Sequence, residues 1–501
     1  MKHFLDDPRV ALVKENPSYA GTSPFHPDER YPEWPGMPIG KEDNPAYRAV
    51  RRLFYLLNLD KDNYGMSRWN PLKSIIRPGN RVVLKPNLVS HFNHGAKAYG
   101  LTDTDSLVTH GSLIRAVLDY CAKALEEQGT IIICDCPIQG ADWEKLTEFV
   151  GLSQIRDFFC ATHPEIELQV KDYRLGTAVM KHGVMVRRLA DENAMGNYLE
   201  VDIGQDSLLL PLMQNGCEFG VSQYSKQRMK KAHNLQSNKY LFPKDILHTD
   251  VLINLPKMKT HMKAGVTCAL KNLVGINGHK DYLPHFRFGS PKNGGDEYPD
   301  GNWLWDLMWF LTHKEWETRM MWLKSSLYFL TKVCSFFLPA FSGLPKGSGC
   351  IGGGGWHGND TLWRTILDIN RVFFYFDRRN ERVDPGISDR TKYLAILDGL
   401  IAGEKESPLA PTPVRSGIMM ASFNPLAMDT VAAAMMGLDI HSIKQIVQGF
   451  DLKKLPLAKF SIEDIEILGQ ESFRCVSEIY SQKAYIPFNP SVGFKGFVEY
   501  R

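Results

Sequence analysis

RVVLKPN (Arg81–Asn87), followed by THGSLIRAVLDYCAKALEEQGTIIIC (Thr109–Cys134), decides the fold class. Arg81 to Leu84 is a short β-branched run of the kind that forms a buried strand. Leu113, Ile114, Val117, Leu118, Cys121 and Leu125 share one face at helical spacing, so a helix is predicted from about Ser112. Gly129 is expected to end that helix in a left-handed turn. Thr130 to Cys134 then reads as a second strand. Strand, helix, strand is a βαβ unit, which requires a parallel sheet with helices on its faces.

The pattern returns further along. VLINL (Val251–Leu255), KYLAIL (Lys392–Leu397) and GIMMA (Gly417–Ala421) read as strands. Asn424-Pro425 opens a helix that Gly437 closes, the expected punctuation for N-cap, first turn and C-terminus. Asp429 on that helix should be buried and anchor a loop. At 501 residues the chain exceeds the size at which a single core stops growing. The expected fold is therefore α/β, two lobes on parallel or mixed sheets with flanking helices. Its segments are an irregular arm and helix over 1–75, an α/β lobe over 76–300, a hydrophobic helical insertion over 301–350, and a second α/β lobe with a C-terminal tail over 351–501.

Composition narrows the function. Net charge is +3, from 59 basic and 56 acidic side chains, too balanced for a dedicated nucleic-acid binder. Nine cysteines include no C-x-x-C pair, so no iron–sulfur cluster or zinc ribbon is encoded locally. Reduced thiols and an N-terminus without an apolar signal core lead us to expect a cytoplasmic protein. Trp303 to Gly343 stands apart as a hydrophobic helical hairpin. Three readings are open for it: a buried hairpin, a homodimer contact, or a segment lying peripherally in a membrane interface.

The chemistry concentrates in DVLINLPKMKTHMKAGVTCALKNLVGIN, Asp250–Asn277. Lys257, Lys259, His261 and Lys263 crowd a loop after a buried strand, and Lys271-Asn272 follows. Such crowding is relieved by a small anionic ligand, a carboxylate or phosphate held by charge-assisted hydrogen bonds. Gly265 would let that ligand approach the backbone, and a helix over Ala264–Leu273 would offer free N–H groups. Ligands in open α/β sheets bind beyond the carboxyl ends of strands. That rule draws Lys85, Asn87 and Asp398 into the same crevice, Asp398 as a general base or metal ligand. His357 and Asn359, after four glycines, and Arg371 on a helix are further substrate-binding candidates, with Arg371 alternatively a partner for a nearby carboxylate.

VVLKPNLV, VTHGSLIRAVLDY, the Asp250–Ile276 segment, LAILDGLIAGE and NPLAMDTVAAAMMG occur together in order. Over roughly 78–450 the chain resembles the family named domain of unknown function 362. More distantly, His261, Gly265 and Lys271 resemble in spacing a segment of the nickel-pincer lactate racemase family. That resemblance implies His261 as an acid/base group, Lys271 as the tether of a cofactor, and His279 or His285 as a metal ligand. The loop CDCPIQG (Cys134–Gly140), which would hold a second acid/base histidine, has none. The expectation is an enzyme of racemase or oxidoreductase type, moving a proton or hydride on a small anion in a cationic cleft between lobes, with catalytic His261, Lys271 and Asp398. The cofactor is left open between a metal ion and a lysine-tethered group. Two rival readings remain: a membrane-surface protein of envelope or polysaccharide metabolism, and a non-catalytic anion-binding module.

Overall fold

The computed structural model describes residues 3–95, 104–181, 184–190, 192–214, 216–221, 226–301, 303–318, 320–342, 351–377, 379–384 and 392–501. Its centre is a 10-stranded mixed sheet. In chain order the strands are β1 (Arg9–Lys14), β2 (Arg81–Pro86), β3 (Gly129–Asp135), β4 (Ile166–Asp172), β5 (Val251–Leu255), β6 (Lys257–His261), β7 (Gly265–Thr267), β8 (Lys392–Glu406), β9 (Ala410–Ser422) and β10 (Glu466–Leu468). Across the sheet they run β10-β1-β9-β8-β5-β2-β3-β4, and β6 pairs with β7 and with β8.

The β8-β5-β2-β3-β4 block is wholly parallel. β8 and β9 form a long antiparallel hairpin, with β1 antiparallel to β9. The segments expected as two lobes share this sheet: β5 of the first pairs with β8 of the second. Even the N-terminal segment supplies a strand, β1. Two large apolar clusters lie on opposite faces of the sheet, as the two-residue period of a strand requires. Val83 and Leu252 join one, while Val82, Leu84, Val251 and Ile253 join the other.

Helices α1 (Pro45–Leu56) and α2 (Gly111–Leu125) cover one face. His110 caps α2, its Nδ1 accepting from Ser112 N at 3.1 Å. The left-handed residue at the end of α2 is Glu126, φ 49°, followed by Glu127, φ 62°. Gly129 instead opens β3 at φ 140°, where a Cβ would sit 2.6 Å from Asn80 O. That glycine serves the strand entry and not the helix exit.

Helices α3 (Trp303–Glu317) and α4 (Met321–Ser342) form the expected hairpin. It is not buried. Leu304, Trp305, Met308, Trp309 and Leu338 pack with Tyr298 and Ile351 into a small core, whereas Trp322 is 69% exposed and Phe336 79%. A stripe one or two residues wide is all that an otherwise apolar pair of helices can hide against a single neighbour. Gly343 lies outside the described residues. Among the described residues no helix is long and apolar enough to cross a membrane. Helices α5 (Leu362–Tyr375) and α6 (Pro425–Met435) pack on the other face of the sheet. Asn424 caps α6 through Leu426 N and Ala427 N, and Gly437 beyond it has φ 68°.

Candidate functional site

β2 has β3 on one side and β5 on the other, so the chain order reverses beside β2, the place where open α/β sheets bind ligands. A cavity of about 420 Å³ opens there, beyond the carboxyl ends of β2 and β3 and against β6 and β7. Its size suits a small-molecule site. Lys85, Lys263, Lys271 and Lys280 line it, with His261, His285, Asn87 and Asn272, and among the described residues the one lining carboxylate is Asp135.

That carboxylate is already engaged. Lys85 Nζ lies 2.8 Å from Asp135 Oδ1, both side chains buried, and also donates to Pro86 O at 2.7 Å. Leu88 N and Cys136 N donate to the same carboxylate. Gly275 packs over the pair so closely that a Cβ would lie 2.3 Å from Asp135 Oδ1. Asn272 ties the floor together, donating to Lys85 O at 3.0 Å and Asn254 Oδ1 at 2.7 Å and accepting from Asn87 Nδ2 at 3.0 Å.

Lys263 and Lys271 differ. Neither ammonium makes a hydrogen bond or ion pair among the described residues. Burial, then the repulsion of Lys280, Lys263 and Lys85, pushes Lys271 down to about 7. Burial pushes Lys263 down to about 8, with Glu297 pulling it back upward. Both retain intermediate exposure because they face the cavity. Lys280, which donates to Cys136 O at 3.2 Å, is also lowered, chiefly by burial.

The two histidines are held as opposite tautomers. His261 Nδ1 accepts from Lys263 N at 3.0 Å and Ala264 N at 3.1 Å, so its ring proton sits on Nε2. His285 Nδ1 faces Leu283 O at 2.7 Å, which requires a proton on Nδ1 and leaves Nε2 a bare lone pair. Burial and the neighbouring lysines hold both rings well below the usual histidine range, hence neutral. One ring offers a donor and the other an acceptor. Thr267 Oγ1 and Trp309 Nε1 also lack hydrogen-bond partners in the cavity wall.

The other sequence candidates stand elsewhere. Lys257 lies on buried β6, 3.1 Å from Asp398 and 2.8 Å from Tyr19 Oη. Asp398 also accepts from Tyr19 Oη and from His110 N, so the pair fastens the N-terminal arm and the start of α2 to the sheet. Lys259 donates to Leu107 O at 2.6 Å and to Asn87 Oδ1 at 2.9 Å, steadying Asn87 from behind. Burial and the charges of Lys257 and Lys271 hold Lys259 well below its usual range. Asn359 caps α5 and donates to His285 O at 2.9 Å, so it positions that histidine. His357 stacks on Phe497, and Arg371 pairs with Asp368 at 2.7 Å inside the core. His279 caps a short turn, accepting from Asp281 N at 3.1 Å.

Two local expectations are corrected. Residues 265–267 form a strand, and the helix that follows spans only Ala269–Asn272. Its first amides, Ala269 N and Leu270 N, are taken by buried Asp429 and are not free for a ligand. Gly265 (φ 80°) makes the β6–β7 turn, where a Cβ would meet Ile443. Close approach at the cavity belongs to Gly275 instead. Asp135, Lys280 and Gly275 were not picked from sequence; the end of β3, being parallel and adjacent to β2, was the available signal for Asp135.

Among the described residues no group of three or more His, Cys, Asp or Glu side chains is arranged to hold a metal ion. Residues 214–434 match the model of a family described as a domain of unknown function, DUF362. That match is narrower than the 78–450 expected; it takes in His261, Lys271 and His285 and leaves out Lys85, Asn87 and Asp135. No curated protein matches the chain. A crystal structure of a protein from Thermotoga maritima aligns with 77% of this chain and 58% of its own length, at 8% identity and a TM-score of 0.31. The chain thus spans less than two thirds of that protein.

Proposed function

We propose that the cavity binds a small carboxylate or phosphate and moves a proton on it. One observation carries the reading: Lys263 and Lys271, with no hydrogen bond or ion pair among the described residues, converge on a cavity that also presents an imidazole donor and an imidazole acceptor. Concentrating like charge in a partly dry recess is unfavourable unless an anion occupies it. With an anion held by the lysines, His285 Nε2 presents a lone pair able to accept a proton. His261 Nε2–H is the group able to donate a hydrogen bond to an oxygen that gains charge.

This assignment alters the role suggested by the racemase resemblance. A ring whose Nδ1 already accepts two amide protons cannot take a further proton at Nε2 without giving one up. His261 therefore acts as donor and His285 as acceptor. Lys271, lowered to about 7, loses its proton far more readily than an ordinary lysine, and a neutral amine is what attack on a carbonyl requires. That property suits the cofactor-tethering role as well.

The test has two readouts. Calorimetry with sulfate and malonate should show binding to the wild-type protein. Proton NMR in D2O with a panel of 2-hydroxy and 2-amino carboxylates should show loss of the Cα–H signal for at least one, abolished in His285→Gln. Binding without exchange in every carboxylate would reduce the reading to an anion-binding module. No binding of any anion removes it altogether.

A further inference from the structure

The hairpin α3–α4 leaves many of its large apolar side chains in solvent. Trp303 is 68% exposed, Phe310 56% and Phe329 66%. On α4, Trp322, Ser326, Phe329, Val333 and Phe336 recur every three or four residues and so share one face. A contiguous exposed patch of this kind marks an interaction surface. We propose that this face docks on a lipid bilayer bearing anionic headgroups, with the helices lying in the plane of the interface.

Charge selects that occupant. α4 contains no Asp or Glu. Each carboxylate of α3 is held by a lysine: Asp306 by Lys292 at 3.8 Å, Glu315 by Lys324 at 3.6 Å, and Glu317 by Lys226 at 3.0 Å. Lys332 is exposed and makes no ion pair among the described residues; its ammonium lies over the Tyr328 ring. Among the described residues the hairpin charge left without an ion pair is thus positive, Lys332, and it is set among aromatics, the composition that suits a headgroup boundary. A second copy of the chain meeting this face with the same face brings another Lys332 and no carboxylate from α4.

The surface also adjoins the cavity. Trp309, on the inner side of α3, forms part of the cavity wall, and Gly352 fits against its ring so closely that a Cβ would lie 1.8 Å away. The docking inference stands independently of what the cavity does.

The test uses the full chain and vesicles of phosphatidylcholine with or without phosphatidylglycerol. Wild-type protein should co-sediment roughly tenfold more with the anionic vesicles. Its tryptophan emission should shift to the blue on binding. Trp322→Asp/Phe329→Asp/Phe336→Asp, at exposed positions, should stay folded by circular dichroism and remain in the supernatant. The proposal is overturned if the wild type does not sediment or if phosphatidylglycerol makes no difference. It is equally overturned if light scattering finds a dimer that the triple variant dissolves, with no vesicle binding by either protein.

Discussion

Two pairs of lysines from one short stretch of chain meet opposite fates. Lys257 and Lys259 sit on β6 with partners on every side: Asp398 and Tyr19 for one, Asn87 and Leu107 O for the other. Lys263 and Lys271 end in a cavity with no hydrogen-bond or ion-pair partner among the described residues, Lys263 lying only over the Phe286 ring. All four are removed to some degree from water, so burial alone does not separate them. The presence of a partner does. A lysine whose partner is built into the protein holds the fold together, and one left without a partner points to something the protein takes up.

The largest effect that could break this contrast comes from the framework pair. Removing one partner of a buried ion pair typically costs about 3–5 kcal/mol. Lys257→Met should therefore lower the denaturation midpoint sharply in a urea titration. Lys257→Met/Asp398→Leu should recover much of the loss, because the orphaned carboxylate goes with it. A single variant as stable as wild type would mean the pair fastens nothing.

Lys271→Met should do the reverse. The folded protein disfavours the Lys271 ammonium, so an apolar side chain of similar length removes a desolvated charge and its repulsion with Lys280, Lys263 and Lys85. We expect thermal stability at pH 7 equal to wild type or higher, with sulfate affinity by calorimetry down at least roughly tenfold, the scale of one charge-assisted hydrogen bond. Lower stability with unchanged sulfate binding would move Lys271 into the framework class.

The same contrast governs what could be read from sequence. The βαβ unit and the strands at Val251, Lys392 and Gly417 were legible because β-branched runs and helical periodicity are local signals. The hairpin was legible as a pair of helices, but its exposure was not, since an all-apolar helix looks alike whether hidden or bare. The lysine cluster was visible as a cluster. Which lysines face the cavity was not, because β6 reads as a polar loop: Lys257, Lys259 and His261 crowd their charge directly after Pro256, which hides the alternation with Met258 and Thr260. Asp398 could not be told from a catalytic acid, for its partner Tyr19 arrives from an arm 379 residues away in sequence. Tautomers lie wholly beyond sequence. They depend on which backbone groups meet each ring, and those come from the turn at Gly265 for His261 and from Leu283 for His285.

The smallest expected effect sharpens the contrast most, because it concerns protonation alone. Sulfate stays dianionic across the range that matters, so any pH dependence of its binding belongs to the protein. Lys271 and Lys263, lowered to about 7 and about 8, are cationic below those values and neutral above them. Sulfate should then raise the melting temperature more at pH 6 than at pH 9, since stabilisation by a ligand grows with its concentration over Kd. The sign in the absence of ligand is opposite. A lysine whose folded value is lowered binds its proton more readily unfolded, so these groups make the protein more stable as pH rises, Lys271 from about 7 and Lys263 from about 8, up to the usual 10.5. Lys271→Met should flatten both slopes partway, leaving the part due to Lys263. A sulfate effect that grows with pH, or one that Lys271→Met leaves intact, would mean the anion is held by the framework lysines after all.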